Sequence, residues 1–170
     1  LMTSTPPKTP VALTPLQPNE ATAVVMVGEH RGIGLHNLLW ILRTFPNHFK
    51  NFIFVSVGIV DVESFSAKKE LTTMQENTNE MLDYFVNYCQ QQGLAAKGFA
   101  AYGTDPTEKL TRLSKKIIKE FPHSLFFASK LIFSKDNWIT RLLHNETAVM
   151  LQRRLHLLGV QLVILPMKID

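Results

Sequence analysis

The chain has 170 residues, of which 45% are hydrophobic and 19% are charged, and this predicts one globular domain with a sizeable core rather than a disordered or fibrous chain. The formal net charge of +4 fits an anionic partner or a membrane surface, while the lack of a Lys/Arg stripe with interleaved aromatic residues argues against nucleic acid as a partner. The single cysteine excludes an internal disulfide framework, and no apolar run reaches the ~20 residues of a membrane span.

The first segment of the chain, residues 1–20, holds five of the nine prolines and is rich in threonine. Such a composition predicts an extended, semi-rigid linker without regular secondary structure. We therefore expect a folded domain over residues 21–170, with the linker as a tether to something that precedes it.

Strands and helices alternate along the domain. Short apolar runs predict strands at 21–27, 51–61, 95–103, 123–129 and 160–167. Helical periodicity predicts helices at 35–45, 66–92, 106–121 and in the stretch 137–158. This alternation with short connections predicts a doubly wound α/β domain, a Rossmann-like five-stranded parallel sheet with helices on both faces.

Local signals mark several helix ends. Gly93 and Gly159 are expected to stop the second and fourth helices, and Asp105 before Pro106 is expected to cap the third. Cys89 falls at helical spacing among apolar residues, so we expect it to be a small buried hydrophobe.

The stretch "VGEHRGIGLH" after the first strand stands where α/β proteins hold phosphates. Its glycines, Gly28, Gly32 and Gly34, match neither the dinucleotide fingerprint nor the P-loop spacing. One interpretation is that backbone amides still approach an anion here, with His30 and Arg31 as further donors. The other is a tight strand-to-helix turn whose glycines need positive φ.

Signals for catalysis and for a metal are weak. No pair among the six histidines has a compact metal-ligand spacing, and there is no G-x-S-x-G elbow or convincing pair of nucleophile and base. We therefore expect a non-catalytic protein without a metal site.

The closing segment carries "FFASK", "RLLHNETA" and a final "LVILP", and "GTDP" follows the third strand. In this pattern, over about residues 21–169, the chain resembles the universal stress protein family. The resemblance implies ligand-binding positions at Ser129, Lys130, Arg141, Asn145 and Thr147. It also implies a homodimer through the last strand, with Leu162, Ile164 and Pro166 at the interface.

The chain departs from the family's ATP-binding pattern at Ala128 and at Asn145–Glu146, where glycines or Gly-Ser are typical. An ordinary ATP site is thus expected to be degenerate, and no cofactor is expected, with ATP or another nucleotide effector as the alternative. Lys130 and Arg141 either receive a different anion or pair with Asp136 or Glu146, and "HNETA" also suits helix capping. Trp138 either covers the carboxyl edge of the sheet or contacts a membrane partner.

A second resemblance includes the linker, "LLWILRTFPNHFKNFIFVSVGIVD" and "QRRL". In these stretches the chain is similar to cytosolic C-terminal domains of bacterial amino acid–polyamine–organocation superfamily permeases. This implies a regulatory or dimerisation domain on the cytoplasmic side of the inner membrane, with its own transmembrane transporter domain as partner. The alternatives are an ATP-binding universal stress protein-type module and, as a third class, an adenine-nucleotide hydrolase.

Overall fold

The computed structural model describes residues 13–60, 67–132, 138–139 and 146–168. The strands are β1 (Thr22–Met26), β2 (Asn51–Ile59), β3 (Ala95–Gly103), β4 (Ser124–Ile132) and β5 (Leu162–Lys168), and the helices are α1 (Arg31–Thr44), α2 (Ala67–Gln91), α3 (Pro106–Glu120) and α4 (Glu146–Leu157). The strands form one parallel sheet in the order β3-β2-β1-β4-β5. The predicted doubly wound α/β fold is therefore confirmed.

The sheet separates two apolar cores, one on each face. Val24 and Met26 of β1 face the core that α3 and α4 cover, whereas Val25 and Val27 face the core that α1 and α2 cover. This division follows from the alternation of side chains along a strand. All residues of β1 are buried, as expected for a central strand with helices on both sides.

Three of the predicted helix ends are confirmed. Gly93 and Gly159 adopt positive φ, 73° and 86°, at the second position after the ends of α2 and α4. The Asp105 carboxylate accepts a hydrogen bond from the Thr107 amide at 3.0 Å, so it caps α3. These three helix ends are thus determined by residues close to them in sequence.

The thiol of Cys89 is fully buried on α2, as the sequence predicts. Burial raises the pKa of this thiol from 9.0 to about 12, because the apolar core disfavours the thiolate. The thiol therefore stays protonated at neutral pH and behaves as an apolar side chain.

Segment 13–20 is joined to the domain by hydrogen bonds at the amino ends of the strands. The side chain of Asn51 accepts from the Gln17 amide and donates to the Gln17 carbonyl, both at 2.7 Å. The Gln90 side-chain carbonyl accepts from the Thr14 amide at 2.7 Å. Asn51 is fully buried, so both ends of its amide depend on this segment and on Thr22.

The start of α1 differs from the prediction. The helix begins at Arg31 rather than at Leu35, so Gly32 and Gly34 lie in its first turn and not in a loop. The expectation of positive φ at this turn is wrong, because the glycines with positive φ in the described part of the chain are Gly93 and Gly159.

Gly34 is instead required by packing. A Cβ atom there would lie 2.5 Å from Cζ of Phe85 and 3.2 Å from Cγ1 of Val27. The Phe85 ring is fully buried and stacks on Phe54 with a centroid distance of 5.1 Å, so it has no room to move aside. Gly34 thus allows α1 to approach α2 closely.

No described helix is long and apolar enough to cross a membrane.

We predict opposite effects for alanine at the two glycines of α1. Gly34→Ala would collide with Phe85 and lower the free energy of unfolding by about 1–3 kcal/mol, the usual cost of overpacking. Gly32→Ala is the matched control, because a Cβ atom at Gly32 meets nothing within 4 Å. Since alanine favours a helix over glycine by ~1 kcal/mol, this variant should be neutral or more stable.

Urea denaturation of both variants measures the difference. Equal stability of the two alanine variants would contradict the close approach of the helices.

Candidate functional site

The carboxyl ends of β1 and β4 form the natural binding crevice of this fold. The chain passes from β1 to β2 on one side and reaches β4 on the other, so the strand order reverses between β1 and β4. In open α/β sheets, ligands bind at this switch point, outside the carboxyl ends of the strands.

A small cavity of about 20 Å³ lies in the crevice. The lining residues come from the end of β1, from α1, from β4 and from the segment before α4: Met26, Val27, Gly28, Glu29, His30, Ile33, Gly34, Asn37, Ser129 and Ile139. This is room for about one water molecule. Sites for small organic ligands are typically ~300–1,000 Å³, so the crevice is largely filled.

Trp138 and Ile139 fill much of the crevice. They are 6% and 7% exposed and belong to the core that contains Met26. The indole N–H of Trp138 donates to the carbonyl of Val27 at 3.3 Å, directly beyond the end of β1. Trp138 therefore covers the carboxyl edge, which is the first of the two roles that the sequence left open for it.

Gly28 lies directly beneath this cover. A Cβ atom at Gly28 would be 3.6 Å from Cδ1 of Ile139 and 3.8 Å from Nε1 of Trp138, which is ordinary van der Waals contact. A glycine is therefore not required here by space alone.

A buried polar pair forms one wall of the cavity. The Asn37 side chain donates to the hydroxyl of Ser129, and the two residues are 1% and 3% exposed. This bond links α1 to β4 across the switch point. Oδ1 of Asn37 has no hydrogen-bond partner in the described structure. A buried unpaired acceptor costs about 1–3 kcal/mol, so this atom favours a donor such as one water in the cavity.

Asn37 was not among the predicted site residues. It shares the buried face of α1 with Gly34, Leu38 and Ile41. The sequence signal for Asn37 is a polar residue on the apolar face of a predicted helix. A search for glycines and cations does not detect it.

Four of the predicted ligand residues line the cavity: Gly28, His30, Gly34 and Ser129. Arg31 and Gly32 are exposed and are not part of that lining. The guanidinium carbon of Arg31 lies 5.1 Å from the ring centroid of Tyr84, so this cation contacts α2.

The amides at the start of α1 are partly used by the helix itself. The amides of Ile33 and Gly34 donate to the carbonyl of His30, at 3.1 and 3.3 Å. His30 occupies the N-cap position without a side-chain cap, and the first turn has no acidic residue. The helix end thus keeps its positive dipole character, but the Gly34 amide turns back to His30 rather than towards an anion.

The remaining predicted ligands are only partly placed. Lys130 lies in β4 and pairs in register with Pro166, and Thr147 lies in the first turn of α4. β4 thus continues past the predicted end at Ser129 to Ile132, so Lys130 is a strand residue and not a loop residue. Arg141 and Asn145 lie outside the described residues, as does Asp136, an expected partner of the cations.

The predicted interface residues all lie on β5, at one edge of the sheet. Leu162 is buried and Ile164 is partly buried against the core shared with α3 and α4. Within the described ranges, no three His, Cys, Asp or Glu side chains are grouped so that they could hold a metal ion.

Comparison with protein-family models and with curated proteins finds no match to this chain.

Proposed function

We propose that the chain is a non-catalytic regulatory and dimerisation domain of a membrane transporter for amino acids or related solutes, on the cytoplasmic side of the membrane. The assignment to transporter tails and to the universal stress protein type comes from the sequence resemblance. Regulation would act by domain pairing or ligand occupancy that biases the conformational equilibrium of the transporter.

The observation that carries the non-catalytic part of this proposal is the filled crevice. Trp138 and Ile139 lie over the end of β1, and the cavity left beneath them has about 20 Å³. A nucleotide needs a far larger space, and its phosphates need free amides at the helix start. The small volume between the described residues thus supports the absence of an ordinary ATP site from the proposal.

The dimerisation part of the proposal is supported by the open edge of β5. Phe126 is in register with Leu162, and its amide donates to the carbonyl of Gln161 at 3.0 Å. In a parallel ladder, this directs the amides and carbonyls of Leu162 and Ile164, and the carbonyl of Pro166, away from β4, towards the edge of the sheet. The carbonyl of Leu162 already accepts from Nε2 of Gln152 at 3.5 Å, while the other edge groups have no strand neighbour in the described part of the chain. Such groups favour pairing with another strand, and a second copy of β5 would supply one.

The alternative function is that of an ATP-binding universal stress protein-type module. The observation that favours it is the unpaired Oδ1 of Asn37 at the switch point, beside Ser129 and the α1 terminus. Movement of Trp138 away from β1 would open this wall to a ligand.

The reading frame upstream of Leu1 tests the transporter assignment. We expect it to encode several apolar segments of about 20 residues each, joined by short loops. Sequencing of the gene decides this point. A start codon directly before Leu1 would remove the transporter from the proposal.

We predict that ATP with Mg²⁺ will not raise the melting temperature of the domain. A ligand present at 100 times its dissociation constant stabilises a protein by about 2.7 kcal/mol, which is ~5–10 °C for a domain of this size. Differential scanning fluorimetry with millimolar ATP would therefore detect micromolar binding.

Ser129→Val is the control variant for that titration. It fills the cavity without a change of charge, so it should melt at the same temperature with and without ATP. A shift in the wild type that Ser129→Val abolishes would contradict the filled-crevice argument and favour the nucleotide-binding alternative.

We predict that the wild-type domain dimerises and that Ile164→Pro separates the dimer. Proline removes an amide donor that points towards the open edge, and each unpaired backbone group costs about 1–3 kcal/mol. Ile164→Ala is the matched control, because alanine has a smaller side chain than proline but keeps the backbone amide N–H. Sedimentation velocity should show a monomer for the proline variant alone. Dimers of equal affinity for all three proteins would contradict pairing through β5.

A further inference from the structure

The charges of the domain are divided unequally between the two helical layers. α3 and α4 carry seven Lys or Arg residues against three Glu, whereas α1 and α2 carry four Lys or Arg against four Asp or Glu. The excess of positive charge in the helices thus lies on one face of the sheet. α3 and α4 pack side by side there over a common core, so their outward sides form one surface.

On α3 the outward positions are basic. Four exposed cations follow the helix: Arg112, Lys115, Lys116 and Lys119. The two acidic residues of this helix already have partners, since Glu108 lies 3.1 Å from Arg112 and Glu120 lies 3.7 Å from Lys97. Both pairs are largely exposed and leave the surface positive.

On α4 the outward positions combine apolar and basic side chains. Val149, Arg153 and Leu157 follow one another at intervals of four, and Met150 and Arg154 form the adjacent row. Val149, Met150 and Leu157 are 64%, 51% and 79% exposed. They are three of the five large hydrophobic side chains that are exposed in the described part of the chain. Isolated exposed hydrophobic side chains are common on protein surfaces, whereas a group of three on one helix indicates a contact surface.

We infer that the outward surface of α3 and α4 docks on an anionic lipid bilayer. The arginines and lysines would meet the anionic headgroups, and the three aliphatic side chains of α4 would enter the interface between headgroups and acyl chains. The inference goes beyond the proposed function and does not depend on it, since it rests only on the described surface.

A second copy of the chain fits this surface less well. A two-fold contact through α4 would place Arg153 and Arg154 against the same arginines of the other copy. A contact with the acidic residues of α2 in another copy would be heterologous, so it would build a ring or an open filament rather than a two-fold dimer. Charge complementarity therefore favours a different, anionic partner.

Nucleic acid also fits less well than lipid. The exposed large hydrophobic side chains of the surface are aliphatic, whereas single-stranded nucleic acid is held by aromatic side chains on which bases stack. Helices that lie in the membrane interface instead combine lysine and arginine with apolar side chains such as leucine.

The test is flotation of the full 170-residue chain with vesicles of phosphatidylcholine alone and of an equimolar mixture with phosphatidylglycerol. We expect binding to the mixed vesicles only, with a decrease as salt is raised. Each basic residue at an anionic surface raises binding about fivefold, so R153Q/R154Q should lower the partition coefficient about 25-fold. V149S/L157S should lower it at least about tenfold, because the transfer of two aliphatic side chains into the membrane interface is lost.

The matched control is K68Q/K69Q, which removes the same charge from exposed positions of α2 on the opposite layer. We expect this variant to bind like the wild type. All substituted side chains are exposed, and melting curves establish that the variants fold.

Three outcomes would overturn the inference: no binding to either vesicle, equal loss in R153Q/R154Q and K68Q/K69Q, or self-association in sedimentation that V149S/L157S abolishes. Tighter binding to duplex or single-stranded DNA than to the mixed vesicles would also overturn it in favour of nucleic acid. None of these outcomes bears on the upstream reading frame or on ATP, so this inference and the proposed function fail separately.

Discussion

The burial of β1 on both faces is the constraint on which the other elements depend. Its side chains alternate between two cores and are at most 1% exposed, so neither helical layer is dispensable. A strand of this kind has neighbours on both edges as well, β2 on one and β4 on the other. Its carboxyl end then becomes the place where the two halves of the sheet diverge, and Trp138 covers that place.

Two hydrogen bonds join the elements that border the crevice. The hydrogen bond from Asn37 to Ser129 joins α1 to β4, and Trp138 bonds to the backbone of Val27. Both contacts join elements on opposite sides of the switch point. Opening the crevice would break at least the second contact and expose two apolar side chains, so a larger ligand has to supply that free energy.

The elements that sequence reasoning predicted well depend on local signals. Apolar runs bounded by turns predicted all five strands, and Gly159 and Asp105 marked helix ends. The start of α1 was missed because glycines disfavour a helix, whereas packing of Gly34 against Phe85 requires one there. The extension of β4 was missed because Lys130 is polar, although its backbone pairs with β5.

The candidate site was predictable in place but not in detail. The topology implied by alternating elements puts the loop after β1 beside Ser129, and both line the cavity. The position of Asn37 in the site and the filling of the cavity depend on contacts between residues far apart in sequence. A local sequence pattern does not predict such contacts. The position of Arg31 on Tyr84 likewise depends on how α1 crosses α2.

The hydrogen bonds of Asn51 have a consequence for where the chain can be shortened. The buried side-chain amide of Asn51 makes two hydrogen bonds to the backbone of Gln17: it accepts from the amide and donates to the carbonyl. A chain that began at Ala21 would lose the donor to Oδ1 of Asn51 and one of the two acceptors of its Nδ2, and would leave Thr22 as the remaining partner. The hydrogen bonds of the described domain therefore extend back to Thr14, upstream of the first strand and at the end of the sheet opposite the crevice.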